Sequence, residues 1–393
     1  MQREVYKGCY NAKRQCEPPL CERDNPVTDP RIHKFAQILV DHSARIQPGD
    51  RVLLEGTFAA EPLVRELYAL ILQRGGYPHP LFTFPGEEKI FFTYANEAQL
   101  DFIPTFKYLA YQEFESRIRI HSATDTRALS EIDPAKQSRR QKAVSPILET
   151  QMRRGAAGEF KWVTTLFPTE AYAQEAGMSL QEYEDFVYRA CFADRDDPVA
   201  AWKQVEKEQS RIVSWLKGRD TVTVQGPNVD LRLSIKGRRF MNSSGRFNMP
   251  DGEVFTGPVE DSANGWVRFT YPAIAGGRVV NGVELRFENG RVVKATATEN
   301  EAYLLQMLET DPGARYLGEF AIGTNFQIDR FIGQILFDEK IGGTFHMALG
   351  AGYPETGSVN KSAIHWDMIC DLRTDSEIRV DGDLLYRNGQ FVI

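Results

Sequence analysis

Only six histidines stand in this chain of 393 residues, and just two of them, His346 and His365, fall in its last third. His365 precedes Asp367 by two positions inside the apolar run AIHWDMICDL, residues 363–372. Residues two apart on a strand share a face, about 6.6–7 Å apart along it. A carboxylate buried there needs water, a counter-charge or a metal ion. His346 sits in the glycine-rich stretch IGGTFHMALGAGYP, where backbone can approach closely. Two glutamates have similar settings: Glu253 in NMPDGEVFTGP, where a turn hands over to a strand, and Glu319 in LGEFAIGTN. A glutamate inside an apolar strand is seldom fully buried unless paired.

Glu253, Glu319, His346, His365 and Asp367 form a nitrogen and oxygen donor set suited to Zn²⁺, Co²⁺ or Mn²⁺. Five such donors exceed what one tetrahedral ion needs from protein. A two-metal site with a bridging carboxylate fits better, with ions about 3.5–4 Å apart. Each residue alone also has a plainer reading. A single histidine on a β-face is more often a hydrogen-bonded core or rim residue, and Glu319 alone could pair with Arg315 or Arg330. Spacing by itself leaves the metal and the structural readings both open.

The elements that must position these residues divide the chain near residue 219. Before it, DPRIHKFAQILVDHSARI has the periodicity of an amphipathic helix. RVLLEG reads as a buried strand, AAEPLVRELYALILQRGG as a helix closed by Gly75-Gly76, and HPLFTF as the next strand. Such a strand–helix–strand unit predicts a parallel, Rossmann-like sheet in an α/β scaffold domain over residues 25–219. Its first turn, Glu55-Gly56-Thr57-Phe58, lacks the glycine fingerprint of a dinucleotide site, so no nucleotide cofactor is expected. Ser179 to Glu182 is a capping box that opens a further helix. After Thr221 the pattern changes to short alternating runs with an Asn289-Gly290 hairpin signal, which predicts a mainly β, α+β domain over 220–393. Phe255, Trp266, Tyr271 and Trp366 lie near the polar motifs, and core positions are expected for them.

Composition narrows the classes further. Hydrophobic residues make up 42% and charged residues 26%, as in ordinary globular proteins. A net charge of −7, with both signs spread along the chain, argues against nucleic acid or an anionic membrane as partner. No run of 18 apolar residues occurs, so no membrane span is expected. Cys9, Cys16 and Cys21 cluster in a polar segment that matches no common zinc pattern, and residues 1–24 read as a flexible tail. An odd cysteine count without an export signal fits a reducing, cytoplasmic setting.

At the motifs NMPDGEVFTGP, LGEFAIGTN, DEKIGGTFHMALGAGYP and the late HWD, in that order, the chain resembles the M29 metallopeptidases, the thermophilic-type aminopeptidases. The resemblance extends over roughly residues 28–393. It implies a homodimeric cytoplasmic exopeptidase that removes N-terminal residues from peptides, with an α/β domain followed by a domain holding two divalent ions (Zn, Co or Mn). It places Glu253, Glu319, His346, His365 and Asp367 at metal-ligand positions, with Glu319 as the bridge. Tyr353 falls on the family's active-site tyrosine, Glu339 matches an acidic residue that is a candidate for base or metal contact, and either Glu319 or Glu339 is the expected general base. Two alternatives accompany this reading: a mononuclear iron-dependent ring-cleaving dioxygenase on the same fold, and a non-catalytic metal- or peptide-binding protein.

Overall fold

The computed structural model describes residues 29–393. The cysteine-bearing segment read as a tail lies outside the described residues. Asp29 caps the first helix, Pro30–Gln37, by accepting the Arg31 amide, and Pro30 pre-sets its first turn. A parallel sheet follows. Its strands lie in the spatial order Tyr77–Thr83, Arg51–Thr57, Ser116–His121, Lys161–Leu166 and Asn248–Met249. Helices cover both faces, as an all-parallel sheet requires. On one face Val52, Leu54, Ile118 and Val163 pack against Leu67 and Ile71 of helix Glu61–Gln73 and Phe186 of helix Leu180–Ala190. On the other, Leu53 packs with Tyr111 and Ile147 of two more helices. The capping box at Ser179 and Glu182 opens helix Leu180–Ala190 as the sequence predicts.

The fifth parallel strand comes from residues beyond 219, and Ile328, Ile332, Phe337 and Ile341 also join the core of the parallel sheet. Short apolar stretches of this kind carry no periodicity that would assign them to a distant layer.

The rest of the chain forms two large antiparallel sheets packed face to face and a two-stranded antiparallel ribbon, Ala273–Ala275 with Arg278–Val280. One has eight strands, from Arg291–Thr296 at one edge to Gln390–Phe391 at the other. Within it, Asn289 and Gly290 both adopt positive φ, the backbone that a tight hairpin between Glu284–Glu288 and Arg291–Thr296 demands. The other has five strands, in the order His365–Asp371, Thr344–Gly350, Leu317–Gly323, Glu253–Thr256 and Met241–Ser243. Phe320, Ile322, Phe345, Met347, Leu349, Trp366 and Met368 point into the space between the sheets, where they meet Val224, Leu231, Val267 and Leu285. The opposite face of the five-stranded sheet is therefore free to carry polar groups. No helix among the described residues is long and apolar enough to cross a membrane.

Candidate metal centre

The strand register puts all five predicted donors on one face. Gly323 pairs with Glu253, Ala321 with His346, and Ala348 with both Glu319 and Asp367, while Gly350 pairs with His365. Directly opposed residues project to the same side of a sheet. Every donor thus faces a glycine or an alanine, and the small partners leave room above the sheet for the long polar side chains. The alternation in HWDMICD has the same origin: His365 and Asp367 point to this face, Trp366 and Met368 to the core.

The donor atoms converge. His346 Nε2 lies 3.3 Å from Glu253 Oε2 and 3.7 Å from Glu319 Oε1. His365 Nε2 lies 3.2 Å from Glu319 Oε2 and 3.5 Å from Asp367 Oδ1. Glu319 therefore presents one oxygen to each imidazole. Three donor groups each fit within 4.8 Å: Glu253, Glu319 and His346; Glu319, His365 and Asp367; and Glu339, His346 and Asp367. Ligands about 2.0–2.1 Å from a tetrahedral zinc stand about 3.3 Å from one another, which matches these separations. Glu319 does not pair with either arginine considered from sequence. Arg315 binds Glu309, and Arg330 binds Asp329.

Burial makes the arrangement costly without a cation. Glu253, Glu319 and His346 are 5, 4 and 1% exposed. Glu253 Oε2 and Asp367 Oδ1 are buried acceptors with no hydrogen-bond partner. Such orphans are expensive, and a divalent ion is the partner that their charge and position fit. His365 Nδ1 donates to the Ala351 carbonyl at 2.8 Å, so Nε2 is the atom turned to the carboxylates, and loss of its proton leaves the tautomer a ligand needs.

The charges perturb one another strongly. Burial pushes Glu253 up to about 8 against the pull of Lys340. It pushes Glu319 up as well, but hydrogen bonds from His346 and His365 more than reverse this and hold it at about 2. Burial pulls both imidazoles down, and the carboxylates overcome it, raising His346 to about 9 and His365 to about 12. Burial, then the charges of Glu319 and Asp367, drives the Tyr353 phenol well upward, so it remains a donor.

Tyr353 stands at the open side of the cluster, 39% exposed, with its ring 5.2 Å from that of His365 and 5.4 Å from that of Phe255. Trp366 is core, as expected, at 2% exposure. Phe255 departs from that expectation. It shares the polar face with Glu253 and walls the site. Trp266 is partly covered, and Tyr271 stacks on Phe331.

Two supporting residues escaped the sequence reading. Lys340, 0% exposed, donates to Glu253 Oε1 at 2.8 Å and also binds Glu339. In the sequence it stands beside Asp338 and Glu339, and nothing local marks it as buried. The missing side chain of Gly323, opposite Glu253, is what admits this segment, because a Cβ there would collide with the Ile341 carbonyl. Gln209, on helix Pro198–Leu216, donates its amide to the Glu253 carbonyl at 2.7 Å and anchors the edge of the sheet.

Comparisons with known proteins identify the family of the chain. A family model described as thermophilic metalloprotease (M29) matches residues 28–391. The chain is 29% identical to Aminopeptidase 2 of Geobacillus stearothermophilus, over 92% of this chain and 97% of that protein. It is 28% identical to Aminopeptidase T of Thermus thermophilus, over 91% and 95%. The fold is similar to that of wild-type AmpT from Thermus thermophilus, with a TM-score of 0.80 and 24% identity over 92% of this chain and 99% of that one. A 2,5-dihydroxypyridine dioxygenase from Pseudomonas putida KT2440 is similar at a TM-score of 0.54 and 14% identity, over 92% and 96%. The two structural likenesses speak to fold alone. With the family model matching nearly the whole chain, this protein belongs to the M29 family of thermophilic metalloproteases.

Proposed function

We propose that this chain is a metal-dependent aminopeptidase that hydrolyses the first peptide bond of peptides with a free N-terminus, using two divalent ions (Zn, Co or Mn). The observation that carries the reading is the division of Glu319 between His346 and His365. Glu253 and His346 would hold one ion, His365 and Asp367 the other, and Glu319 both. Charge supports the count. Five carboxylates (Glu253, Glu319, Glu339, Asp367 and Asp251 behind them) against the Lys340 ammonium leave an excess of four negative charges. One divalent ion leaves the pocket negative; two balance it. The related aminopeptidases support the reaction class.

When bound, such ions act as Lewis acids and can lower the pKa of a water from 15.7 to about 7. The protein's own groups do the rest. The Tyr353 hydroxyl donates a hydrogen bond where the oxyanion of the tetrahedral intermediate forms. Both oxygens of Glu319 are committed to the imidazole sides, which leaves Glu339 to take the proton of the attacking water and return it to the leaving amine. Phe255 and Tyr353 flank the approach. An iron-dependent dioxygenase would use one ion and leave either Glu253 Oε2 or Asp367 Oδ1 unpaired, so the acidic set favours hydrolysis. The reading includes a homodimer, for which the exposed Tyr94, Phe102 and Phe106 supply apolar surface.

The test is hydrolysis of a tripeptide by chelator-stripped protein before and after adding Zn²⁺, Co²⁺ or Mn²⁺. Metal-restored release of the first residue, abolished by N-acetylation, is expected. Cleavage that is indifferent to acetylation, or none with any metal, would overturn the reading.

A further inference from the structure

The two halves of the donor cluster are not equivalent, and the cause is one side chain. Lys340 is completely covered and spans Glu253 and Glu339, taking Oε1 of each. Glu253 thus has one oxygen left for an ion, and Glu339 one left to accept a proton. Buried Asp251 lies behind this pair, satisfied by Ser243 Oγ and the Gly245 and Gly252 amides. The half built from Glu319, His365 and Asp367 differs. Among the described residues no lysine or arginine pairs with any of the three; their only ionic partners are each other and His346.

Two physical effects follow. A fixed ammonium close to a divalent cation repels it, and at short range in a water-poor pocket that repulsion is strong. A carboxylate with one oxygen already accepting from a lysine is also a weaker ligand than one with both free. Both effects fall on the half containing Glu253, His346 and Glu339.

We propose that Lys340 is a positioning residue that sets unequal affinities for the two ions. The half formed by Glu319, His365 and Asp367 fills first and tightly, and the half formed by Glu253 and His346 fills second and exchangeably. The proposal rests on the two-ion reading. Lys340 touches neither substrate nor reacting atoms; it acts by holding Glu253 and Glu339 and by its charge.

Removing the charge has an unusual signature, because a merely structural defect weakens metal binding whereas loss of a competing cation strengthens it. Metal-free wild-type protein, Lys340→Met and Lys340→Gln would be titrated with Mn²⁺ and Zn²⁺ by calorimetry, with the metal content of each checked by mass spectrometry. In the wild type two binding events are expected. In both variants the weaker constant should tighten by about tenfold or more, the scale of removing one nearby charge, while the tighter one shifts less than about threefold. A single ion in the wild type and two in the variants would overturn the two-ion reading of the wild-type protein on which the proposal rests. Independently of these variants, His346→Ala should abolish the weaker event and spare the tighter one. A weaker constant that is unchanged or loosened in both folded lysine variants overturns the proposal, as does loss of the tight event in His346→Ala. One ion per chain in the wild type and in both variants overturns the two-ion reading itself.

Discussion

Glu319 and His365 meet across an intervening strand, with His365 Nε2 3.2 Å from Glu319 Oε2. The strand between theirs is Thr344–Gly350, and the residue of it that faces Glu319 is Ala348. The two side chains reach each other diagonally, past the methyl group of Ala348, which stands directly between Glu319 and Asp367. A bulge beside Glu319, between Leu317 and Glu319, shifts the register locally. Devices of this kind re-aim side chains next to functional sites.

Ala348→Val follows from this relationship. The added methyls would rise between Glu319 and Asp367, beside His365, without touching the core face of the sheet. Overpacking of this kind costs about 1–3 kcal/mol. The greater expected effect is on metal, with affinity at the half containing His365 falling at least tenfold while the variant still unfolds cooperatively. Equilibrium dialysis against Zn²⁺, paired with thermal melting of the metal-free protein, separates the two. Wild-type metal affinity in the variant would show that the gap is not used.

Tyr353→Phe removes only the phenolic oxygen and keeps the ring contacts with Phe255 and His365. Loss of one oxyanion donor lowers kcat by about 10²–10³. KM and metal content should hold near wild type, since the ring still walls the site. Steady-state kinetics on a tripeptide checks this, and a rise in KM at constant kcat would assign the tyrosine to binding alone.

Much of this centre was legible in the sequence because its donors interrupt apolar strands, where a charge is conspicuous. Glu319 in LGEFAIG and His365 with Asp367 in HWDMICD stand out for that reason, and the period of two put the last pair on one face. The parallel scaffold was legible for a similar reason: its strands and helices are long enough to show their periods. Lys340 was hidden because a lysine beside Glu339 and Asp338 resembles any solvated charge run. Its burial depends on Gly323, seventeen residues earlier, a relation that only the fold creates. The two-residue strand Asn248–Met249 was equally unreadable, being too short to carry a period.

Metal binding should release protons. His346 is raised to about 9 in the metal-free site, where the carboxylates hold a proton on the ring despite its burial. A ligating imidazole must be neutral, so at pH 7 an ion entering this half displaces that proton. Affinity is therefore expected to strengthen as pH rises toward about 9 and to weaken as it falls. Calorimetric titrations in two buffers of different ionisation enthalpy measure the release directly. Identical heats in both buffers would mean that the ring is already neutral.

The scaffold offers a second pH effect, far from the candidate metal centre, which arises from a depressed carboxyl and not from a raised imidazole. Glu55, on strand Arg51–Thr57, is buried beneath Lys107 at 2.7 Å and Arg119 at 3.0 Å, with Arg117 at 3.7 Å and the Tyr111 hydroxyl donating at 3.0 Å. Burial pushes its carboxyl up, but Arg119, Lys107 and Arg117 together outweigh it and hold it at about 2, below the ordinary 4.5. A folded-state pKa below the unfolded one gives stability that is complete above about 4.5 and is lost as pH falls from there toward 2. The difference corresponds to on the order of 3 kcal/mol at neutral pH. Glu55→Gln should remove that contribution and leave three cations around a neutral amide, so it should be less stable than wild type at pH 7 by at least that order. Urea unfolding of both proteins at a series of pH values between 7 and 2 tests the sign. The gap between them should narrow through the acid range as the wild type loses its charge. A gap that stays constant with pH would show that Glu55 contributes packing rather than charge.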